Sequence, residues 1–336
     1  MLKAQIYSKN LNNEGFYRPV HVDFPVSRYD LNLAYAKARI LNPADCEVRL
    51  DKKTHPRIVS QLERLPTNGM MIDSLNYFAK QLTKIDVPSF NKLVDTINNN
   101  PVDGYRELIN IADKIYWDSL PQENENIDFA DEEQPEKEYP FSLRMSKLKD
   151  GETLEICVGL PYDDDIEAMT AYDLTAYGYN LIGVETTIST FDGLFDDSVD
   201  EDMLDRLAKK IERMDSADFV KYMAVLDYER IRASHHRFAS KNELLEKCIY
   251  YADEYKKYAF DSRVIDSESY AENILTRAGI GQTLIDHVNL ESYGLAELGE
   301  SGAAIGRYGL IEPPKLRQEQ ELTQNNEPHE GMSMNM

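Results

Sequence analysis

The sequence predicts an α+β protein made of tandem units, each a small mixed sheet module followed by a helical module. Three observations lead to this fold class. Short segments carry apolar residues at every second position, which predicts strands, and longer segments carry them at helical spacing. One helical pattern occurs twice, at a constant offset of 129 residues. A chain of 336 residues with 42% apolar content is also long enough for two or three small domains.

The strand–helix–strand modules are predicted from two similar segments. Val20–Phe24 alternates at period two and ends at Pro25, and Ile156–Leu160 does the same before Pro161. Each is followed by a segment typical of a helix and then by a second strand. These further predicted elements are Tyr29–Ile40 and Cys46–Leu50 in the first module, and Ile166–Tyr177 and Leu181–Ile188 in the second.

The helical modules are predicted from apolar residues that recur every three to four positions. These residues are Leu75, Phe78, Leu82 and Ile85 in the first copy, and Leu204, Leu207, Ile211 and Met214 in the second. Asp86 and Asp215 follow at equivalent places, and each is predicted to cap the next helix. A further helix is predicted in each copy, at Tyr105–Trp117 and at Lys241–Tyr258.

These elements, together with shifts in composition, divide the chain into seven predicted segments. The segments are an N-terminal strand–helix–strand module (1–60), a helical module (61–118), a polar, proline-bearing acidic linker (119–140), an acidic strand–helix–strand module (141–198), a second helical module (199–260), a C-terminal module (261–312) and a disordered tail (313–336). The organisation therefore indicates two related units, the second of which has an extra C-terminal part.

Charge is distributed very unevenly along the chain. Asp150–Asp205 spans 56 residues and contains sixteen Asp or Glu but no Lys, Arg or His. Residues 1–118 are nearly neutral, with 16 basic and 14 acidic side chains, whereas the whole chain has a net charge of −23. A long stretch of one sign repels itself and costs stability. Because aromatic residues are interleaved with the carboxylates, we expect the stretch to fold.

The net charge, the apolar runs and the cysteines indicate which partners and which cellular compartment to expect. The net charge disfavours nucleic acid and anionic membrane as direct partners, and it favours cations, basic proteins or a protein groove built for a polyanion. No apolar run approaches the ~18 residues that span a bilayer, and the opening MLKAQIYSKN lacks a hydrophobic signal core. Cys46, Cys157 and Cys248 are widely spaced, which favours reduced thiols and a cytoplasmic protein.

The sequence does not indicate a catalytic or metal site. The acidic run Asp192–Asp200 lacks the ligand spacing of a calcium-binding loop. His235 and His236 have no His-Glu-x-x-His pattern around them, and the six histidines suggest no Ser-His-Asp or Cys-His constellation. We therefore expect no enzyme activity, no metal and no cofactor. For the acidic stretch, the alternative to a binding surface is a solvated surface that serves solubility alone.

Several short motifs occur in a fixed order along the chain. They are Ala4-Gln-Ile-Tyr-Ser-Lys-Asn-Leu-Asn-Asn-Glu-Gly15, Phe24-Pro25, Leu75-Asn-Tyr-Phe-Ala-Lys-Gln-Leu82, Glu107-Leu-Ile-Asn-Ile-Ala112, Leu160-Pro161, Ile285-Asp-His-Val-Asn-Leu-Glu-Ser-Tyr-Gly294, Gly309 and Leu310. Taken together, these motifs resemble those of the ArdA antirestriction proteins of mobile genetic elements. The resemblance covers roughly residues 1–118 and 141–312.

The resemblance implies a function. It implies an elongated, acidic homodimer that mimics duplex DNA and occupies the DNA-binding groove of type I restriction–modification enzymes. Duplex DNA carries one charge per ~1.7 Å, so the sixteen carboxylates match about 27 Å of duplex. The carboxylates predicted to face such a partner are Asp163, Asp164, Asp165, Glu167, Asp173, Asp192, Asp196, Asp197, Asp200, Glu201, Asp202, Asp205, Asp286 and Glu291.

The chain departs from the family pattern at its C-terminal motif. Gly294-Leu295-Ala296 stands where the family has Gly-Arg-Asp, and Asn289 stands where it has Asp. The N-terminal part is nearly neutral, and a protein that only mimics DNA would not need such a part. The alternative is therefore an ArdA-like interaction module of a mobile element that binds a basic host protein without inhibiting restriction.

Overall fold

The computed structural model describes residues 2–13, 15, 17–65, 71–100, 102–119, 137–149, 152–162, 175, 177–231 and 238–314. Within these residues the chain has twelve α-helices and nine β-strands, and the strands form three antiparallel sheets of three strands each. The predicted α+β class is therefore confirmed. The chain divides into two compact units, Met1–Asp197 and Ser198–Met336. The seven-segment division and the elongated tandem arrangement stay predictions.

The first sheet opens the first unit. Its strands are β1 (Leu2–Ser8), β2 (Val20–Phe24) and β3 (Cys46–Leu50), in the order β2-β1-β3. Alternate residues of β1 are buried, which places Leu2, Ala4 and Ile6 in the core of this unit. β2 and β3 have the predicted bounds. For β2 these came from period-two alternation, which arises because this sheet buries one face and exposes the other.

Helix α2 (Arg28–Lys37) connects β2 to β3, and the short helix α1 (Lys9–Asn13) follows β1. Ser27 caps α2, and its hydroxyl accepts a hydrogen bond from the backbone N–H of Asp30 at 3.1 Å. The helix was predicted to reach Ile40. It ends earlier because Arg39 adopts a left-handed backbone (φ 58°) and the N–H of Ile40 bonds back to the carbonyl of Tyr35.

Four helices complete the first helical module. They are α3 (Pro56–Leu62), α4 (Ile72–Lys84), α5 (Val87–Asn99) and α6 (Tyr105–Ser119). Asp86 caps α5 as predicted, and its carboxylate accepts from the N–H of Ser89 at 2.8 Å. Helix α6 packs against both α4 and α5. The apolar stripe of α4 is buried at Leu75 and Phe78, as helical spacing predicts.

The second sheet also belongs to the first unit. Its strands are β4 (Phe141–Lys149), β5 (Glu152–Leu160) and β6 (Asn180–Thr186), in the order β5-β4-β6. As in the first sheet, the earliest strand is central and the other two are antiparallel to it. β5 begins earlier than predicted because it pairs with β4 along its full length. The predicted helix Ile166–Tyr177 falls largely outside the described residues.

The second unit begins with a three-helix module. Its helices are α7 (Glu201–Glu212), α8 (Ser216–Tyr228) and α9 (Lys241–Glu254), followed by a 3-10 turn at Tyr255–Lys257. Asp215 caps α8 as predicted, and its carboxylate accepts from the N–H of Asp218 at 2.8 Å. Helix α9 packs against α7 and α8. The helix predicted at 241–258 thus begins where expected, but near its predicted end the chain forms the tighter 3-10 turn instead.

A C-terminal α/β part completes the second unit. Its elements are β7 (Ala259–Asp261), α10 (Ser267–Arg277), α11 (Gln282–Ile285), α12 (Leu290–Ser301), β8 (Ala304–Ile305) and β9 (Leu310–Glu312). The three strands form a sheet in the order β7-β9-β8. Helices α10 and α12 pack so closely that a Cβ at Gly294 would overlap the backbone carbonyl of Ser267.

Elements of the predicted repeat can be compared one by one. Leu75 and Ala79 in α4, and Leu204 and Ala208 in α7, are all buried at matching positions. The helix that follows each of them has an aspartate N-cap. The two sheets of the first unit share one strand order. The elements therefore agree with a repeat, and the superposition of two whole copies stays a prediction.

Candidate functional site

The predicted partner-binding carboxylates fall into three groups. Asp163, Asp164, Asp165, Glu167 and Asp173 lie outside the described residues. Asp192, Asp196 and Asp197 belong to the first unit, and the remaining six belong to the second unit. These six are Asp200, Glu201, Asp202, Asp205, Asp286 and Glu291.

The residues Ser189–Asp197, here called the acidic loop, follow β6 and end the first unit. The loop begins with a 3-10 turn at Ser189–Phe191. Its apolar side chains Phe191 and Phe195 are 2% and 5% exposed and pack on Phe141 of β4, with ring centroids 5.4 and 5.9 Å apart. The two loop rings also stack on each other at 5.9 Å. These rings fix the loop to the second sheet, since buried aromatic residues contribute large apolar area.

The carboxylates of the acidic loop lie at the surface. Asp192, Asp196 and Asp197 are all exposed, while the residues between them, Leu194 and Phe195, are buried. In the described part of the chain, no Lys or Arg forms an ion pair with Asp192 or Asp197. The loop therefore presents solvent-facing negative charge from a backbone held in place by its apolar residues.

A hydrogen-bond link joins the start of the acidic loop to helix α2. The carboxylate of Asp30 accepts from the backbone N–H of Ser189 at 3.0 and 3.3 Å and from its hydroxyl at 3.0 Å. Beside it, the hydroxyl of Ser27 donates to the carbonyl of Thr187 at 2.5 Å. Burial raises the pKa of Asp30, the bonds from Ser189 oppose this rise, and the charge of Asp192 adds to it. Sequence reasoning missed this link.

Other carboxylates of the acidic stretch are already neutralised by a basic residue. On the second sheet, Arg144 forms ion pairs with Glu155 at 3.2 Å and Glu185 at 3.5 Å. Cross-strand register explains this, because Arg144 lies on the central strand between β5 and β6. The absence of basic residues within the stretch thus does not leave every carboxylate unpaired.

In the second unit, three predicted residues lie at the N-terminus of α7. Asp200 is its N-cap and accepts from the N–H of Met203 at 2.9 Å. Glu201 and Asp202 occupy the first turn, where the helix dipole favours negative charge. Burial, together with Asp202 and Asp200, raises the pKa of Glu201. Helix capping therefore gives these carboxylates a structural role besides any contact with a partner.

Asp205 differs from the other predicted residues because it is buried. It is 6% exposed, and its carboxylate lies 2.8 Å from the ammonium of Lys209, one helical turn further on. Such an ion pair neutralises the charge locally. The sequence signal for this role was a Lys four positions after the Asp. The Asp directly follows a core leucine, and the Lys directly follows a core alanine.

The last two predicted residues lie near the start of α12. Asp286 is exposed and accepts from the side-chain amide of Gln282 at 3.0 Å. Glu291 is exposed in the first turn of α12, which Asn289 caps by accepting from the N–H of Ser292 at 3.0 Å. Both remain open to solvent and to a partner.

A cavity of about 400 Å³ lies in the second unit. Asp227, Glu229 and Tyr308 are among its lining residues. Asp227 accepts two bonds from Arg307, at 2.6 and 3.1 Å, and Glu229 accepts from two tyrosine hydroxyls, at 2.6 and 3.1 Å. Its two carboxylates are therefore engaged within the protein, and among the described residues that line it there is no Ser, Cys or His to act as a nucleophile.

The described residues do not meet the requirements of a metal site, a nucleophilic buried thiol or a membrane-spanning helix. No three His, Cys, Asp or Glu side chains among them are placed to share a metal ion. Cys46 and Cys248 are free and buried, and burial raises the pKa of each thiol to about 12, which disfavours the nucleophilic thiolate. No helix in the described ranges combines the length and the apolar character needed to cross a bilayer. His235 and His236 lie outside the described residues.

Comparison with known proteins gave no match to a protein-family model, a curated protein or a solved structure.

Proposed function

We propose that this chain is an acidic DNA-mimic antirestriction protein, similar to the ArdA proteins, that occupies the DNA-binding groove of a type I restriction–modification enzyme. One observation supports this most. The acidic loop exposes Asp192, Asp196 and Asp197 while Phe191 and Phe195 anchor it to the second sheet. The proposal includes a cytoplasmic location, a homodimer, no cofactor and no direct binding of nucleic acid.

Anchored carboxylates suit a groove that evolved to bind phosphates. A groove of this kind is lined by Lys and Arg, which attract an anion and steer its approach. An anion that is already ordered avoids much of the entropy cost that a flexible acidic segment would meet on binding. The anchored backbone of the acidic loop thus favours a mimic over a merely solvating surface.

At the C-terminal motif, the departure at Asn289 and the retained Gly294 have a structural account. Asn289 caps α12, a task that Asn and Asp perform about equally well. Gly294 lies where α12 meets the backbone of Ser267. These positions can keep the C-terminal fold intact whether or not this motif contacts the restriction enzyme.

A second function is supported by the charge of the N-terminal part. Residues 1–118 carry 16 basic and 14 acidic side chains, so this part is not a polyanion. An interaction module that binds a basic host protein without inhibiting restriction would need only the acidic part for that contact. Competition with DNA separates this alternative from the mimic, because only a mimic must share its site with duplex.

The test is displacement of a fluorescent duplex from the purified methyltransferase core of a type I enzyme. The wild-type chain should displace the duplex, and the triple variant D192N/D196N/D197N should displace it less well. D73N/D95N/D103N is the matched control, since it removes three exposed carboxylates of the first helical module. Binding to the core without displacement would favour the alternative function, and no binding at all would overturn the proposal.

A further inference from the structure

Helix α2 and the acidic loop are distant in sequence but joined by a set of hydrogen bonds. Asp30 accepts both the N–H and the hydroxyl of Ser189, and the neighbouring hydroxyl of Ser27 donates to the carbonyl of Thr187. Ser189 is the first residue of the 3-10 turn that leads to Asp192. The link therefore acts at the point where the acidic loop leaves the second sheet.

Asp30 itself is held in a fixed position. It lies in the first turn of α2, and its backbone N–H donates to the capping hydroxyl of Ser27 at 3.1 Å. Arg28, the first residue after the cap, donates its backbone N–H to the carboxylate of Glu138 at 2.8 Å. A capped helix end of this kind is stiff, so it can serve as a support for the loop.

The link opposes an electrostatic repulsion within the molecule. The charge of Asp192 lies close enough to Asp30 to raise its pKa, after the larger effect of burial. Like charges on Asp192 and Asp30 repel each other, and the charge of Lys37 opposes this effect at Asp30. The three contacts from Ser189 to the Asp30 carboxylate hold the loop against that repulsion, because hydrogen bonds to a charged acceptor are stronger than neutral ones.

We propose that Asp30 is a positioning residue of the acidic loop: by holding Ser189 it sets the direction in which Asp192, Asp196 and Asp197 face a partner. Partner binding then depends on a carboxylate that is not itself part of the binding surface. The part of this inference that concerns the partner rests on the proposed function, whereas the part that concerns the loop does not.

Hydrogen exchange tests the loop directly. The N–H of Phe191 bonds to the carbonyl of Ile188, just before the loop, at 2.8 Å. The N–H groups of Asp192 and Leu194 bond to carbonyls inside the loop at 3.3 and 3.0 Å, so exchange of these three amides reports opening of the loop. In Asp30→Ala these amides should exchange roughly tenfold faster, while amides of the first sheet should change little. Asp30→Asn keeps one oxygen acceptor and should fall between wild type and Asp30→Ala. Ser189→Ala removes only the hydroxyl donor and should give a smaller change of the same kind.

Association with the type I methyltransferase core tests whether partner binding depends on the position of the acidic loop. Asp30→Ala should associate several-fold more slowly and with a flatter salt dependence, because the loop carboxylates no longer face the partner together. Asp30→Asn should restore part of the association rate and part of the salt dependence. Asp95→Ala is the control, since it removes an exposed carboxylate from the middle of α5 with the same change in net charge.

Distinct outcomes overturn distinct claims. Unchanged exchange of the loop amides in Asp30→Ala overturns the positioning role, as does faster exchange throughout the first unit with no excess in the loop. Faster loop exchange together with wild-type association and salt dependence overturns the link to binding. A wild-type chain that does not bind the core overturns the proposed function, and the exchange result still decides the role of Asp30. If Asp30→Ala does not fold, the Asn and Ser189→Ala variants carry the same comparison.

Discussion

The carboxylate of Asp30 accepts hydrogen bonds from both the backbone N–H and the hydroxyl of Ser189, although 159 residues separate them in the chain. Residues 27–30 and 187–189 thus form one structure within the first unit. The acidic linker predicted at 119–140 lies between them in sequence, yet α2 and the residues that follow β6 are in direct contact. Separation along the chain is therefore a poor guide to which parts of this unit act together.

The first prediction concerns pH and Asp30. Burial raises its pKa above the ordinary 3.8, so the folded protein binds this proton more tightly than the unfolded chain does. The resulting stabilisation is fully present below 3.8 and is lost as the pH rises through the raised pKa. Urea unfolding of wild type and Asp30→Asn between pH 4 and 7.5 should show wild type gaining relative stability as the pH falls. A difference that is flat, or that grows toward neutral pH, would contradict the burial of this carboxylate.

The second prediction concerns the buried ion pair of α7. Asp205→Ala should lower the free energy of unfolding by about 1–3 kcal/mol, because it removes the acceptor 2.8 Å from Lys209. The loss should stay below that of a fully buried pair, since Lys209 is 41% exposed and can be hydrated by water. Asp202→Asn in the exposed first turn is the control and should cost less than about 1 kcal/mol. Equal losses would mean that Asp205 is a surface carboxylate like its neighbours.

The third prediction compares two glycines of α12. Gly294→Ala should destabilise the second unit by roughly 1–3 kcal/mol or more, because the new Cβ would overlap the carbonyl of Ser267. Gly299→Ala places its Cβ in open space and should be neutral or stabilising by up to about 1 kcal/mol, since Ala favours the helix. Thermal unfolding of both variants measures this contrast. Similar shifts in the two variants would show that α10 and α12 are not closely packed at Gly294.

Local sequence patterns predicted much of the secondary structure. β2 and β3 have the predicted bounds, and Asp86 and Asp215 cap helices as expected. These features depend on residues within a few positions of each other, which is the range that alternation, helical spacing and capping report. By contrast, nothing near Asp30 in sequence indicates Ser189, because that contact arises only when the residues that follow β6 fold against the start of α2.

The candidate site was predicted less completely than the fold. A count of carboxylates in the sequence gives each of them the same role. In the structure, Asp200 caps a helix and Asp205 forms an ion pair within its helix. Glu155 and Glu185 form ion pairs with Arg144. The signal for Asp205 was local and could have been used, since Lys209 follows at i+4. The pairing at Arg144 needs the strand register of the second sheet, which the sequence does not specify.

The last prediction concerns how inhibition depends on the number of carboxylates. If the acidic stretch fills a basic DNA groove, attraction is shared, and each exposed charge pair contributes only about 0–1 kcal/mol. Changing Asp163, Asp164 and Asp165 together to Asn should weaken binding to a type I methyltransferase core by a modest factor, roughly tenfold at most. Adding the Asn substitutions at Asp192, Asp196, Asp197 and Asp200 should weaken it far more, mainly through slower association and a flatter salt dependence.

Position 200 is suited to this series because Asn caps a helix about as well as Asp, so D200N removes the charge and keeps the cap of α7. Association and dissociation rates of both combined variants and of each single variant, measured across a salt series, give the dependence on charge. A shared electrostatic surface requires that losses accumulate and that added salt reduces the difference between wild type and variants. A catalytic or metal site would behave differently, because one substitution would abolish activity at every salt concentration. An abrupt, salt-insensitive loss from a single carboxylate is therefore the result that the mimic proposal cannot accommodate.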